Sequence, residues 1–199
     1  MSRIRFARVF ALSMFAVTAC VTASSFGVTA AVAAAAPDLP DHNRTPGAAD
    51  RSITQANYRG ILCRGPGGTR LHTTDERRPN SSYTTNLKRK QLGELGYTDR
   101  RLGDYEEDHL ISIELGGDPA AEDNLWPEHY SGDWGARTKD TLEAELGRRI
   151  CLPASATDYV TLAEARGAVS EDWITAYKKY VCNRTPKLTP LMMAHCRLP

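Results

Sequence analysis

Asp108 and His109 are adjacent, Asn124 follows fifteen residues after His109, and Lys139 a further fifteen on. These residue types suit hydrolysis of a phosphate ester. A histidine with an ordinary pKa near 6.5 takes a proton from water close to neutral pH. A carboxylate beside it binds a hard divalent cation through oxygen, and that cation stabilises charge building on the phosphate and the leaving oxygen. A carboxamide can hold a loop and an imidazole in place, and a lysine can face a phosphate as a point charge. Each residue also has an ordinary reading. His109 suits a half-buried strand histidine bonded to a carbonyl, and Asn124 suits turn chemistry. Lys139 and Glu143 suit a surface ion pair one helical turn apart.

The chemistry needs elements to place it. His109, Ile111, Ile113 and Leu115 alternate with Leu110, Ser112 and Glu114, which is strand periodicity over 109–115. Gly116-Gly117-Asp118-Pro119 ends that run. Leu125-Trp126-Pro127 is a short second strand at most, because proline cannot donate to a ladder, and Trp126 reads as a core anchor. Leu142, Leu146 and Ile150 form an apolar stripe that predicts a helix over 136–150. Thr161 and Glu164 make a capping box opening a packing helix over 162–181, whose buried side carries Leu162, Ala165, Val169, Trp173, Ala176 and Tyr180. Upstream, 82–97 suits a helix stopped by Gly96, and 61–79 suits a short strand, a glycine turn and a return. The fold class expected is α+β: two short antiparallel strands plus a helix, embedded among several helices and stapled by disulfides.

With these residues in order, the stretch YEEDHLISIELGGDPAAEDNLWPE at 105–128, continuing through GARTKD at 135–140, resembles the HNH-type (ββα-metal) endonucleases. More narrowly it resembles exported bacterial proteins with a D-H-L-I-x-x-E-L-G-G, N-L-W-P-E and K-D-x-x-E pattern, and the similarity covers most of residues 60–180. The resemblance implies a metal-dependent endonuclease acting on DNA or RNA with little sequence specificity. His109 would be the general base, Asn124 the orienting amide and Lys139 the phosphate-facing charge. Asp108 would hold the cation, Mg²⁺ by preference, with Mn²⁺ or Zn²⁺ as alternatives. The family takes a further ligand from the start of the helix, where this chain has Gly135 and Ala136. Glu128 or His129 is the favoured substitute, with Asp133 and Glu143 as other options. A strand's alternation also sets Asp108 and His109 on opposite faces unless the backbone bends. A non-catalytic exported binding protein on the same scaffold is the alternative function.

Residues 1–36 carry Arg3, Arg5 and Arg8, an apolar run from Val9 to Ala19 and a small-residue end, the parts of a secretory signal. Val17-Thr18-Ala19-Cys20 offers a second option, a lipid anchor at Cys20. Residues 37–52, rich in Pro, Asp, Gly and Ala, read as a flexible linker, and 53–199 as the nuclease-like domain. Cys63, Cys151, Cys182 and Cys196 then remain, an even number that suits two disulfides in an exported domain. Three pairings are open; Cys63–Cys151 with Cys182–Cys196 is favoured because the second closes a short C-terminal loop. Beyond the leader there are 22 basic against 24 acidic residues, a net of −2, so a nucleic-acid footprint has to be local. Arg77-Arg78, Lys88-Arg89-Lys90 and Arg100-Arg101 are the candidates.

Overall fold

Two strands form the only sheet among the described residues: β1 (Tyr105–His109) and β2 (Leu125–His129), antiparallel, with His109 opposite Leu125 and Tyr105 opposite His129. The computed structural model describes residues 38–63, 74–183 and 189–198. Helices surround the pair: α1 (Tyr58–Leu62), α2 (Thr74–Arg77), α3 (Ser81–Glu94), α4 (Ala136–Ile150), α5 (Leu162–Tyr177) and α6 (Pro190–His195). This is a small α+β arrangement in which α4 follows β2 directly. No helix among the described residues is long and apolar enough to cross a membrane.

Proline sits inside β2, where the sequence argued for an earlier stop. The ladder explains why. Leu110 N donates to Asn124 O, and Tyr130 N donates to Asp104 O, one at each end. Antiparallel pairs alternate between bonded and non-bonded, so the pair Glu107–Pro127 falls at a non-bonded position. The missing N–H of Pro127 is not required there.

The strand expected over 109–115 ends at His109 instead. Residues 110 and 111 bend and Ile113–Leu115 form a 3₁₀ turn. Both strand faces of this segment are buried, Leu110 and Ser112 as well as Ile111, Ile113 and Leu115. Alternation in the sequence therefore did not mean one wet face. What replaces the ladder is the Asn124 side chain. Its Oδ1 accepts from Ile111 N at 2.9 Å and from Ala48 N at 3.2 Å. Its Nδ2 donates to Ile111 O and Asp118 O, each at 3.0 Å. Gly117 lies against this carboxamide. A Cβ there would stand 1.7 Å from Ile111 O and 2.9 Å from Asn124 Nδ2, so no other residue fits.

The main core lies between α4, α5 and the segments that cover them: Leu142, Leu146 and Ile150 from α4 meet Leu162, Ala165, Val169, Trp173 and Ala176 from α5. The capping box at Thr161 and Glu164 forms as expected, with each residue bonding the other's backbone N–H. The expected single helix over 162–181 has a non-helical residue at Asp172 and passes into a π turn at Lys178–Cys182. Trp134 stacks edgewise on Trp173 and Tyr177 and closes the start of α4. Both disulfides follow the favoured pairing. Cys63–Cys151 fastens the end of α1 to the end of α4, and Cys182–Cys196 holds α6 to the π turn.

Two upstream expectations differ from the structure. Ile61 and Leu62 belong to helix α1, not to a strand. Tyr58 anchors that helix by donating its hydroxyl to Ile150 O at 2.9 Å. The turn expected after Cys63 lies outside the described residues. Residues 38–52, expected as a free linker, are laid along the domain: Gly47 N bonds Asp123 O, Ala49 bridges Gly117, and Asp50 pairs with Arg77 at 2.7 Å. The Asn124–Ala48 bond above belongs to the same contact.

Four hydrogen bonds to one fully buried carboxamide make Asn124 the test of this arrangement. Asn124→Ala should cost on the order of 3 kcal/mol in urea unfolding, because it strands Ile111 and Asp118 backbone groups in a dry site. A loss below about 1 kcal/mol would mean that the loop does not depend on it.

Candidate active site

Alternation along β1 divides its residues between two environments. Tyr105, Glu107 and His109 share one face with Leu125, Pro127 and His129; Glu106 and Asp108 share the other with Trp126 and Glu128. Helix α3 packs on this sheet, and Lys139 of α4 reaches Asp108. Asp108 and His109 are adjacent in sequence and do not share a site.

On the α4 side, Lys139 is enclosed. Its ammonium donates to Asp108 Oδ2 at 2.5 Å, to His109 O at 2.8 Å and to Glu143 Oε1. Lys139, Asp108 and Glu128 are all buried. The pair with Glu143, for which a surface contact is the ordinary sequence reading, joins a buried lysine to a half-buried glutamate. Burial alone would raise Asp108; the ammonium of Lys139, with hydrogen bonds from Glu128 and Lys139, holds its carboxyl below the usual range. Glu128 moves the other way, driven well up by burial and then by the charge of Asp108. Glu143 is pushed up to about 8, chiefly by burial. Burial disfavours the Lys139 charge, but Asp108, Glu143 and Glu128 outweigh it and keep the ammonium protonated.

Along β1 an open cleft of about 260 Å³ is lined by His109, Glu107, Glu106, Arg78, Lys88, Ser81, Thr84 and Tyr130, so residues of both strand faces reach it. Ser81, Thr84 and Lys88 come from one flank of α3, whose first turn is capped by the Asn80 side chain on Tyr83 N. That helix start adds partial positive charge favourable to an anion. His109 Nε2 lies 2.9 Å from Pro119 O. A carbonyl can only accept, so Nε2 carries the proton and the neutral ring leaves Nδ1 as the base. Nδ1 has no partner among the described residues. Burial lowers the His109 pKa, only partly opposed by the Pro119 carbonyl, so the ring is a free base at neutral pH. Asn124 does not touch the imidazole. It bonds Asp118 O, one residue before the carbonyl that orients the ring.

Glu106 and Glu107 read from the sequence as solvated charge at a strand edge, but Glu107 is not solvated. It is buried, both carboxyl oxygens lack a hydrogen-bond partner, and burial pushes it up to about 8 against the opposing charge of Lys88. Its place two residues before His109 puts it on the same strand face as the imidazole.

The metal implied by the resemblance does not fit the residues proposed to hold it. Asp108 and Glu128 lie together, but the Lys139 ammonium already fills their neighbourhood. His129 is at the opposite end of the ladder and on the opposite face. It joins Asp99 and Asp104 there, in a group whose ligand atoms lie within 4.8 Å of one another and could hold an ion. Arg101 pairs with both of those carboxylates, at 3.0 and 2.7 Å. Gly135 cannot be replaced by a ligand: a Cβ would meet His129 O at 2.6 Å and the carbonyls of Tyr130 and Ser131 at 3.0 Å. Of the basic runs, Arg78 and Lys88 reach the cleft, where Arg78 lies 3.9 Å from Glu106 Oε1 and Lys88 donates to Tyr105 O at 2.6 Å; Arg77 pairs with Asp50 and Lys90 with Glu122. No family model, curated protein or solved structure matches this chain.

Glu107 predicts a pH dependence of stability. Its folded pKa lies above the unfolded one, so the folded state holds the extra proton. That contribution is complete below about pH 4.5 and is lost as pH rises through about 8. Glu107→Gln should therefore gain on the order of 3 kcal/mol relative to wild type at pH 8.5 and little at pH 4, measured by urea melts. Equal differences at both pH values would contradict the buried, proton-holding Glu107.

Proposed function

We propose that the chain is an exported phosphodiesterase that hydrolyses nucleic acid with little sequence specificity, His109 acting as general base. The observation that carries this reading is one cleft lined by His109, whose Nε2 is bonded to Pro119 O and whose Nδ1 makes no hydrogen bond among the described residues, together with Arg78, Lys88 and the start of α3. In this scheme a phosphodiester binds with its charge against Arg78 and Lys88. Nδ1 of His109 removes a proton from water, and the water oxygen attacks phosphorus. Glu107, protonated at neutral pH, gives its proton to the departing oxygen. Two titratable groups pushed apart in pKa on one strand face suit an acid and a base working together. The ββα reading of β1, β2 and α4 belongs to this proposal, as does export by the leader; the two disulfides agree with an oxidising compartment. No step runs through a metal ion, because the residues proposed for it are committed elsewhere.

The sealing of Asp108 by Lys139 favours one second reading, a binding protein that keeps the scaffold without the reaction. Purified oxidised protein, incubated with plasmid DNA and with RNA, with Mg²⁺, with Mn²⁺ and with chelator, separates the two. The hydrolase reading expects cleavage that falls by roughly 10²–10⁴-fold in His109→Ala. A folded wild type that cleaves neither polymer under any of these conditions, yet retains them on a gel, is the binding protein instead.

A further inference from the structure

Which form of nucleic acid the cleft admits follows from its depth and its cations. His109 and Glu107 form its floor, 2% and 6% exposed, and both Glu107 oxygens lack a hydrogen-bond partner. Arg78, Ser81 and Tyr130, exposed or half-buried, form its rim. A phosphodiester has to be lowered between the walls to meet the imidazole. A duplex is a stiff rod with its bases stacked inside, whereas a single strand can push a phosphate inward and turn its bases out. The cations are few. Lys139 spends its three donors on Asp108, the His109 carbonyl and Glu143, so none remains for a phosphate, contrary to the role the family resemblance implies. Arg78 lies 3.9 Å from Glu106 Oε1, and Lys88 already donates to Tyr105 O. Duplex affinity comes from neutralising many phosphates at once, and the chain beyond the leader has 22 basic against 24 acidic residues. Tyr130 offers another kind of contact. It follows β2 directly, is held by its N–H to Asp104 O at 2.9 Å, and lines the cleft. The guanidinium of Arg137, exposed in the first turn of α4, stands over that ring at 5.3 Å from its centroid. Asp140 feels its charge, but no hydrogen bond or ion pair ties it among the described residues. An aromatic ring beside a free arginine is the pairing on which bases stack and phosphates settle in single-strand sites.

We propose that the cleft takes single-stranded nucleic acid in preference to duplex, with one phosphodiester entering between Arg78 and Lys88, the neighbouring base stacking on Tyr130 and the next phosphate meeting Arg137. The inference rests on the reading of the cleft as the place where nucleic acid binds, and adds to it the strand state and two residues that select it. Tyr130 and Arg137 bind the flanking nucleotide and touch no reacting atom. Stacking of this kind is tolerant of sequence, because every base has a π-face.

Fluorescence anisotropy tests it, with a labelled DNA strand of about 12 nucleotides and the same strand in duplex. Each protein carries His109→Ala, so that the strand is bound and not cut. The strand should bind about tenfold more tightly than the duplex at physiological salt. Tyr130→Ala should weaken strand binding by roughly tenfold, the worth of one stacked base, without changing its salt dependence, and Tyr130→Phe should bind as the parent does. Arg137→Gln should weaken it and lower the slope of log K against log salt by about 0.7, one phosphate contact fewer on a single strand. Arg137 is exposed, so this variant reports on the site even where Tyr130→Ala fails to fold. Duplex bound as tightly as the strand would overturn the proposal, as would an Arg137→Gln variant with the parent's slope and affinity. Strand binding with the expected losses, but no cleavage by the chain with His109 intact, would remove the hydrolase reading and leave this one in place. Cleavage of strand and duplex at equal rates would do the reverse, and a folded chain that binds neither would overturn both.

Discussion

The ammonium of Lys139 is the contact on which the geometry of this protein turns. It reaches from α4 to Asp108 and to the main chain of His109, so it sets the distance between the helix and β1. Burying such a group is costly, by several kcal/mol per ion before partners are found. Asp108, Glu143 and the His109 carbonyl return that cost only because all three donors are met. A single lost partner would leave a charge in a dry site, worth about 3–5 kcal/mol against folding. The arrangement therefore tolerates no drift of α4. The apolar stripe of α4 against α5, and the disulfide at Cys151, hold the same helix from its other side and its far end.

With β1 so fixed, the alternation of the strand does the rest. Asp108 is turned toward the lysine and His109 toward the cleft, and the two neighbours have different chemistry for that reason alone. The cleft face needs its own support, and the loop between the strands supplies it. The Asn124 carboxamide takes over the ladder at Ile111 and bonds the carbonyl before Pro119, whose own carbonyl accepts the Nε2 proton of the base. Tautomer, ring direction and loop path thus rest on one buried asparagine. Gly117 is the space that lets it sit there.

Elements with one buried side were legible in the sequence. The stripe of α4 and the capping box of α5 were read to the residue at their starts, and the disulfide pairing followed from the short C-terminal loop. Segments buried on every side were not. Over 109–115 an alternating run was taken for a half-buried strand, whereas the chain turns there under a side chain's hydrogen bonds. A strand counted from 109 also makes Glu107 read as solvated edge charge, whereas it is buried within β1. The family resemblance drew Asp108, Glu128 and His129 together by order along the chain. Register places His129 a ladder's length from His109 and on the face away from Glu128. Residues 38–52 have a linker's composition, yet their main chain finds partners in Asp123, Asn124 and Gly116, which composition cannot reveal.

The central claim is that His109 stands as an oriented free base in the cleft. Long-range ¹H–¹⁵N correlation spectra of the imidazole, recorded at neutral pH and during addition of a short oligonucleotide, address it directly. The account predicts a His109 ring protonated on Nε2, with an unprotonated Nδ1 whose nitrogen shift moves as the phosphodiester binds. A ring protonated on Nδ1, or one that the oligonucleotide leaves unmoved while it binds elsewhere, would contradict it.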